Sequence, residues 1–266
     1  MKIAFIGGGN MGEAILSAII NRGIAKPNDV TVSDISADRR KYLADKYHVA
    51  TTDNNAAAVT GADVTVLAIK PQSLPSVLPE LKGQIKPGQL VISIIAGATI
   101  KTLSNGLNHN CIVRTMPNTP AQIGEGVTVW IATPGVTEKQ KEMAKGVLSV
   151  MGKEIEVFDE DYLNMATAVS GSGPAYVFLF MEALEKAARG VGLPPDMARE
   201  LVFRTVLGSA MYAEKSGRDL ADLRRAVTSP GGTTAEALAV FEKGNFTGLI
   251  GEAVKAACNK SRILGK

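Results

Sequence analysis

The start of the chain, Met1 to Gly12, reads MKIAFIGGGNMG. KIAFIG (Lys2 to Gly7) is a short apolar run closed by glycine, the pattern of a buried strand. Glu13 to Asn21 then carries apolar residues at helical spacing. Between them Gly7-Gly8-Gly9-Asn10-Met11-Gly12 fits G-x-G-x-x-G. The letters alone are weak, and an ordinary glycine-rich turn gives them too. Following a strand, opening a helix and beginning a strand–helix–strand unit, they are in the context that marks a dinucleotide-binding turn. Gly7 allows the tight turn, Gly9 lets backbone approach a pyrophosphate, and Gly12 lets helix and strand pack closely. The helix N-terminus then presents free N–H groups to the phosphate charge.

The alternation continues for the first part of the chain. Strands are expected at Val30–Asp34, Ala62–Lys70, Leu90–Ile95, Ile112–Met116, Gly126–Ala132 and Glu154–Val157. Helices are expected at Asp38–Tyr47, Thr99–Leu107 and Glu138–Met151. Strand and helix in turn, with short links, predict a parallel sheet with helices on both faces. From Tyr162 onward the pattern is helical only, with candidates at Asp161–Ser170, Ala175–Gly190, Pro194–Ser216, Asp219–Val227, Thr234–Glu242 and Asn245–Leu264. The expected architecture is an α/β Rossmann-type N-terminal domain, residues 1–158, followed by an all-α domain, residues 159–266.

The second strand ends in Ser33-Asp34. Asp34 lies roughly 20 residues past the glycine motif, where an acid binds a ribose diol, which favours NADH. Ser33, Ser36, Arg39 and Arg40 stand ready to receive a 2′-phosphate, which favours NADPH, so the preference stays open. A plain helix cap is the other use for Asp34. Ala68-Ile69-Lys70-Pro71 and Ala96-Gly97 end the next two strands, at the sheet edge where ligands bind. Lys70 is a candidate to touch the cofactor, and the small residues leave room for a flat ring.

Composition excludes several classes. The net charge of +3 comes from dispersed residues, and no Lys/Arg run exceeds three, so nucleic acid is not expected. Two cysteines, Cys111 and Cys258, form no CxxC and no disulfide framework; both read as reduced and inert. Two histidines, His48 and His109, exclude a multi-histidine metal site, and proton transfer is not expected to rest on them. The N-terminal apolar run is too short for a signal peptide, and no apolar run reaches membrane-spanning length. A cytoplasmic protein without a metal follows as the default. Met165, Met181, Met197 and Met211 read as helical core.

Four stretches are more specific: VLAIKPQ, RTMPNTPAQIGEG (Arg114 to Gly126), SGSGPAYVF (Ser170 to Phe178) and TSPGGTTAEAL, from Thr228. In this order and over essentially the full length, the chain resembles a pyrroline-5-carboxylate reductase. The resemblance implies reduction of 1-pyrroline-5-carboxylate to L-proline by NADPH or NADH, the last step of proline biosynthesis. It also implies a dimer of interwoven helices, with a decamer of dimers as the larger assembly. Carried over by position, its cofactor contacts fall on Ile6, Gly7, Gly8, Gly9, Asn10 and Met11, around Asp34, on Asn55, on Ala68, Ile69, Lys70 and Pro71, and on Ala96 and Gly97. Its substrate contacts fall on Ser229, Gly231, Gly232, Thr233 and Thr234, with the functional hydroxyl at Thr234.

The turn Thr228–Thr234 fits that assignment physically. Thr233 and Glu236 form T-x-x-E, a capping-box pattern for the helix that follows. Gly231 and Gly232 leave backbone bare before it, a concave ring of N–H groups suited to a carboxylate. Thr234 would orient the imine nitrogen, and acceleration would come largely from positioning the reactants. Ser170 to Pro174 reads as a second glycine-rich helix start, with Pro174 in the first turn. Two rivals are weaker. A β-hydroxyacid or 6-phosphogluconate-type dehydrogenase needs a K-x-x-x-N pattern where the chain offers only Lys186. A dinucleotide sensor without turnover would not keep SPGGTT intact.

Overall fold

The structure, a computed structural model, describes residues 1–265; Lys266, the last residue of the expected second domain, lies outside the described residues. In chain order the elements are β1 (Ile3–Ile6), α1 (Asn10–Asn21), β2 (Val30–Ser33), α2 (Ala37–Tyr47), β3 (Ala50–Thr52), α3 (Asn55–Val59), β4 (Val64–Leu67) and α4 (Leu74–Leu81). They continue as β5 (Leu90–Ser93), α5 (Ile100–Leu107), β6 (Ile112–Met116), β7 (Gly126–Ala132), α6 (Glu138–Ser149) and β8 (Gly152–Glu156). Helices follow: α7 (Asp161–Ala166), α8 (Gly173–Gly190), α9 (Pro195–Ser216), α10 (Leu220–Ala226), α11 (Thr233–Lys243) and α12 (Phe246–Leu264).

The strands form one sheet in the order β3-β2-β1-β4-β5-β6-β7-β8. Every residue of β1, β4 and β5 is buried, because helices cover both faces. Successive side chains alternate between the faces. Ile3 and Phe5 pack with Ile15, Leu16 and Ile19 of α1, Leu43 of α2 and Val147 of α6. Ala4 and Ile6 pack with Val59 of α3, Leu78 of α4 and Leu103 of α5.

One pairing departs from the expected parallel pattern: β6 and β7 are antiparallel, with Val113 opposite Ala132. The link between them holds only a 3-10 turn, Thr119–Ile123, too short for a helical crossover. Three elements were not anticipated. β3 and α3 are too short for a clear period, and α4 is disguised by Pro75 and Pro79. Proline reads as a breaker, yet Leu74, Val77, Leu78 and Leu81 bury one face of α4 at helical spacing. β4 stops at Leu67 rather than Lys70, since Pro71 opens a 3-10 turn there.

The chain divides into two compact units. One comprises Met1–Ser172 with the C-terminal residues from Ala257; the other is Gly173–Ala256. In the second unit α8 packs on α9, and among its described residues only Ala198 and Val202 are buried. Phe178, Leu179, Leu207 and Tyr212 are exposed. Met197 and Met211 are exposed too, at 52% and 44%, and so is Met165 of the first unit, at 42%. The expectation that these three are helical core is therefore corrected. Helical period marks which face is apolar, and in this chain those faces are not covered.

Candidate functional site

The glycine-rich turn is shaped by its neighbours in the first unit. Gly7 has φ +96°, and a Cβ there would stand 2.7 Å from the carbonyl oxygen of Ala68. A Cβ at Gly12 would stand 2.6 Å from the Gly7 carbonyl oxygen and 3.2 Å from the Ala68 Cβ. The end of β4 thus packs directly on the start of α1, as close helix–strand packing requires. Gly9 differs, for nothing lies within 4 Å of where its Cβ would be. It is the N-cap of α1 and no side chain caps that helix. Bare backbone at Gly9 therefore faces open space, and the first-turn N–H groups of α1 have no side-chain cap, which fits a pyrophosphate.

Ile6, Ala68 and Ile69 meet around Gly7, at the point where the strand order reverses on either side of β1. Lys70 and Pro71 follow, exposed, at the same edge. Ala96 and Gly97 leave β5 beside them. Gly97 has φ +76°, and a Cβ on it would stand 2.9 Å from the carbonyl oxygen of Leu264, so the end of α12 rests on this turn.

At the end of β2 the polar side chains engage one another. The Asp34 carboxylate accepts from the Gly8 N–H at 2.8 Å and from the Ser36 N–H at 2.9 Å. Ser33 donates to the Asn55 Oδ1 at 2.7 Å, and Asn55 donates to Glu80 at 2.7 Å. Arg40 donates to the carbonyls of Asp34 and Ile35. Arg39 donates to the Gly8 carbonyl and to Glu13. Sequence reasoning did not single out Glu13, and no local pattern marks it: its partners Arg39, Tyr42, Lys46 and Tyr47 lie on another helix. Burial pushes the Glu13 carboxyl up, but hydrogen bonds from Tyr47, Lys46, Arg39 and Tyr42 outweigh it and bring it down to about 2.

Arg114 was assigned no role from sequence. It is buried in the middle of β6 and pairs with Glu160, which also accepts from the Ile100 N–H at 2.8 Å. The pair ties the entry of α7 to the sheet. The helix start expected within Ser170 to Pro174 is present, since α8 begins at Gly173 with Pro174 in its first turn, but the residues before it are not a free loop. α7 runs on through a π-helical turn, Thr167–Gly171, directly before α8. Ser170 donates to the Ala166 carbonyl, and a Cβ on Gly171 would stand 2.8 Å from the Met116 Cε.

In the second unit, Thr228 to Gly232 lead into α11. Gly231 has φ +66°, the left-handed region that favours glycine. Gly232 is the N-cap, its N–H donates to the Ser229 carbonyl at 3.1 Å, and no side chain caps the helix. The expected capping box is absent because α11 starts one residue earlier than anticipated, which makes Thr233 its first residue. The consequence is an open helix N-terminus. α2, α5 and α6 are instead capped by Ser36, Thr99 and Thr137. Ser229 and Thr233 are exposed and Thr234 is half-buried beside these N–H groups.

Comparison with known proteins agrees with both units. The family model "Pyrroline-5-carboxylate reductase dimerisation" matches residues 160–264, and "NADP oxidoreductase coenzyme F420-dependent" matches residues 2–97. The pyrroline-5-carboxylate reductase of Synechocystis sp. is 41% identical, over 100% of this chain and 99% of that protein. The structure of a pyrroline-5-carboxylate reductase from Coxiella burnetii is similar with TM-score 0.92 at 40% identity, covering 100% of this chain and 98% of that one. That of Plasmodium falciparum pyrroline carboxylate reductase with NADP bound gives TM-score 0.90 at 32% identity, covering 100% and 98%. With such identity along its whole length, and with a glycine turn, a doubly wound sheet and a helical dimerisation region in one order, the chain belongs to the pyrroline-5-carboxylate reductase family.

Proposed function

We propose that the chain reduces 1-pyrroline-5-carboxylate to L-proline with a nicotinamide dinucleotide, as a cytoplasmic dimer or larger ring of dimers. The observation that carries this reading is identity of 41% and 40% to pyrroline-5-carboxylate reductases over the full chain, both units included. In it, residues 1–158 hold the cofactor and residues 159–266 carry dimerisation and substrate. The dinucleotide, when bound, supplies a hydride.

The chain's own residues supply position. Bare backbone at Gly9 and the open start of α1 take the pyrophosphate. The N–H groups of Thr233 and Thr234 take the substrate carboxylate at the open start of α11, where the helix field favours negative charge, while the Gly232 N–H stays on the Ser229 carbonyl and its bare backbone leaves room. The Thr234 hydroxyl is directed to the imine nitrogen. Hydride addition to the imine carbon moves the C=N electron pair onto that nitrogen, which ends as the secondary amine of proline. A protonated imine is already electrophilic, so no strong protein acid is needed, and orientation provides much of the rate. Exposed apolar side chains on α8 and α9, such as Phe178 and Leu207, supply the surface on which two chains associate.

The test follows NADH and NADPH absorbance with 1-pyrroline-5-carboxylate, for wild type and Thr234→Ala. Wild type oxidises the dinucleotide only when the imine is present, and Thr234→Ala lowers kcat about 10-fold or more with unchanged folding, the scale of one lost transition-state hydrogen bond. Full activity in Thr234→Ala would remove that residue's role and leave the reaction standing. Absence of turnover with either dinucleotide would remove the reaction.

A further inference from the structure

Both peptide groups of Gly8 are held from α2 and its entry. The Gly8 N–H donates to Asp34, and the Gly8 carbonyl accepts from the Arg39 Nε. A second nitrogen of Arg39 donates to Glu13, in the first turn of α1. The Gly8–Gly9 peptide is trans, so its C=O and N–H point in opposite directions. Holding the carbonyl toward Arg39 therefore turns the Gly9 N–H the other way. That N–H has no acceptor among the described residues, and the space over Gly9 is open.

We propose that Arg39, braced by Glu13, is a positioning residue for the dinucleotide: it fixes the Gly8–Gly9 peptide so that the Gly9 N–H meets the pyrophosphate, and it takes no phosphate itself. The inference rests on the reading of this turn as the dinucleotide site. Two of the Arg39 nitrogens are already spent inside the protein, on the Gly8 carbonyl and on Glu13. Glu13 stays ionised well below neutral pH and pairs with the guanidinium as well as with Lys46. Without the brace the flexible glycine peptide samples orientations that lose the N–H, and binding bears the cost of ordering it. A 2′-phosphate ligand would act differently, because it distinguishes NADPH from NADH, whereas a braced pyrophosphate turn serves both alike.

Equilibrium fluorescence titration of the full chain with NADPH and with NADH tests this. Arg39→Met, which keeps the aliphatic stem, raises both Kd values by the same factor, about 10-fold for a lost charge-assisted hydrogen bond. Its kcat at saturating dinucleotide and its KM for the imine stay at wild-type values. Arg39→Lys, which keeps a donor for the carbonyl but cannot fork to Glu13 as well, falls between. A loss confined to NADPH would make Arg39 a 2′-phosphate ligand and overturn the proposal, and unchanged Kd values would overturn it equally. Should Arg39→Met not fold, Arg39→Lys carries the test: both Kd values rise together, and a rise for NADPH alone, or none, overturns the idea. If wild type binds neither dinucleotide, the reading of the site fails and this inference falls with it; if wild type binds and the variants bind as well, only the inference falls.

Discussion

In the turn from β1 to α1, a Cβ on Gly7 would stand 2.7 Å from the Ala68 carbonyl and one on Gly12 would stand 2.6 Å from the Gly7 carbonyl. In the turn before α11, a Cβ on Gly231 would meet nothing within 4 Å. Both turns carry a glycine with positive φ, and both open a helix that no side chain caps. Their surroundings differ because their units differ. The first turn is walled by a sheet covered on both faces, so Gly7 and Gly12 answer to neighbours within the chain, and Gly9 alone is left open. The second belongs to a unit whose only buried residues are Ala198 and Val202 among those described, so Gly231 answers to backbone geometry, and Gly232 meets only Ser229 of its own turn. An absent neighbour is what leaves a turn free to meet something from outside.

The sharpest way to break this comparison is to remove the apolar surface of the second unit. Phe178→Asp with Leu207→Asp places two charges on faces that are exposed in the single chain. The folded single chain pays little for them, but a dimer would have to bury unpaired charge, at several kcal/mol. Analytical ultracentrifugation should show monomer, with turnover lost; an unaltered dimer would show that association uses another surface.

Next in size is a pair of alanine substitutions within one turn. Gly7→Ala combines positive φ with a backbone collision and should destabilise by about 2–4 kcal/mol. Gly9→Ala has room and an ordinary φ of −65°, so the thermal midpoint should barely move while dinucleotide affinity falls. Calorimetry beside ligand titration separates the two, and equal loss of stability would deny that Gly9 is spared for a ligand. Gly231→Ala lies between them: open space but φ +66°, costing about 1–2 kcal/mol. Its unfolding midpoint should shift by less than that of Gly7→Ala.

The smallest effect is acid stability. Glu13 is lowered from 4.5 to about 2, and Asp161, hydrogen-bonded by Arg262 and Asn164, is lowered from 3.8 to about 2. A carboxyl with a depressed folded pKa contributes stability above its unfolded pKa and loses it as pH falls toward the folded value. Both contributions are therefore present at neutral pH and fade between about 4.5 and 2. Glu13→Gln should be less stable than wild type at pH 7 and converge on it near pH 2. Parallel denaturation curves at all pH values would remove Glu13 from this account.

Much of the cofactor turn was legible because its determinants are local. KIAFI followed by GGGNMG states a strand, a turn and a helix start within a dozen letters, and glycine's steric freedom ties each position to a backbone requirement. The strands Ile112–Met116 and Gly126–Ala132 were readable to the residue, being apolar runs bounded by turns. The Arg39–Glu13 brace, the Arg114–Glu160 pair and the rest of α12 upon Gly97 were not legible. Each joins residues far apart in the chain, and no periodicity encodes such a meeting. α4 was hidden because burial of one face outweighed two prolines. The missing capping box shows the same limit at one residue's resolution, since a shift of the helix start from Thr234 to Thr233 turns a cap into an open N-terminus.

The sequence by itself determined most of the element order, the two contrasting halves and the positions where glycine is required, because each follows from local sterics and hydrophobic period. Tertiary structure alone decided the antiparallel β6–β7 pair, which polar groups hold the glycine turn and which apolar faces stay uncovered, because those depend on which distant surfaces the folded chain brings into contact.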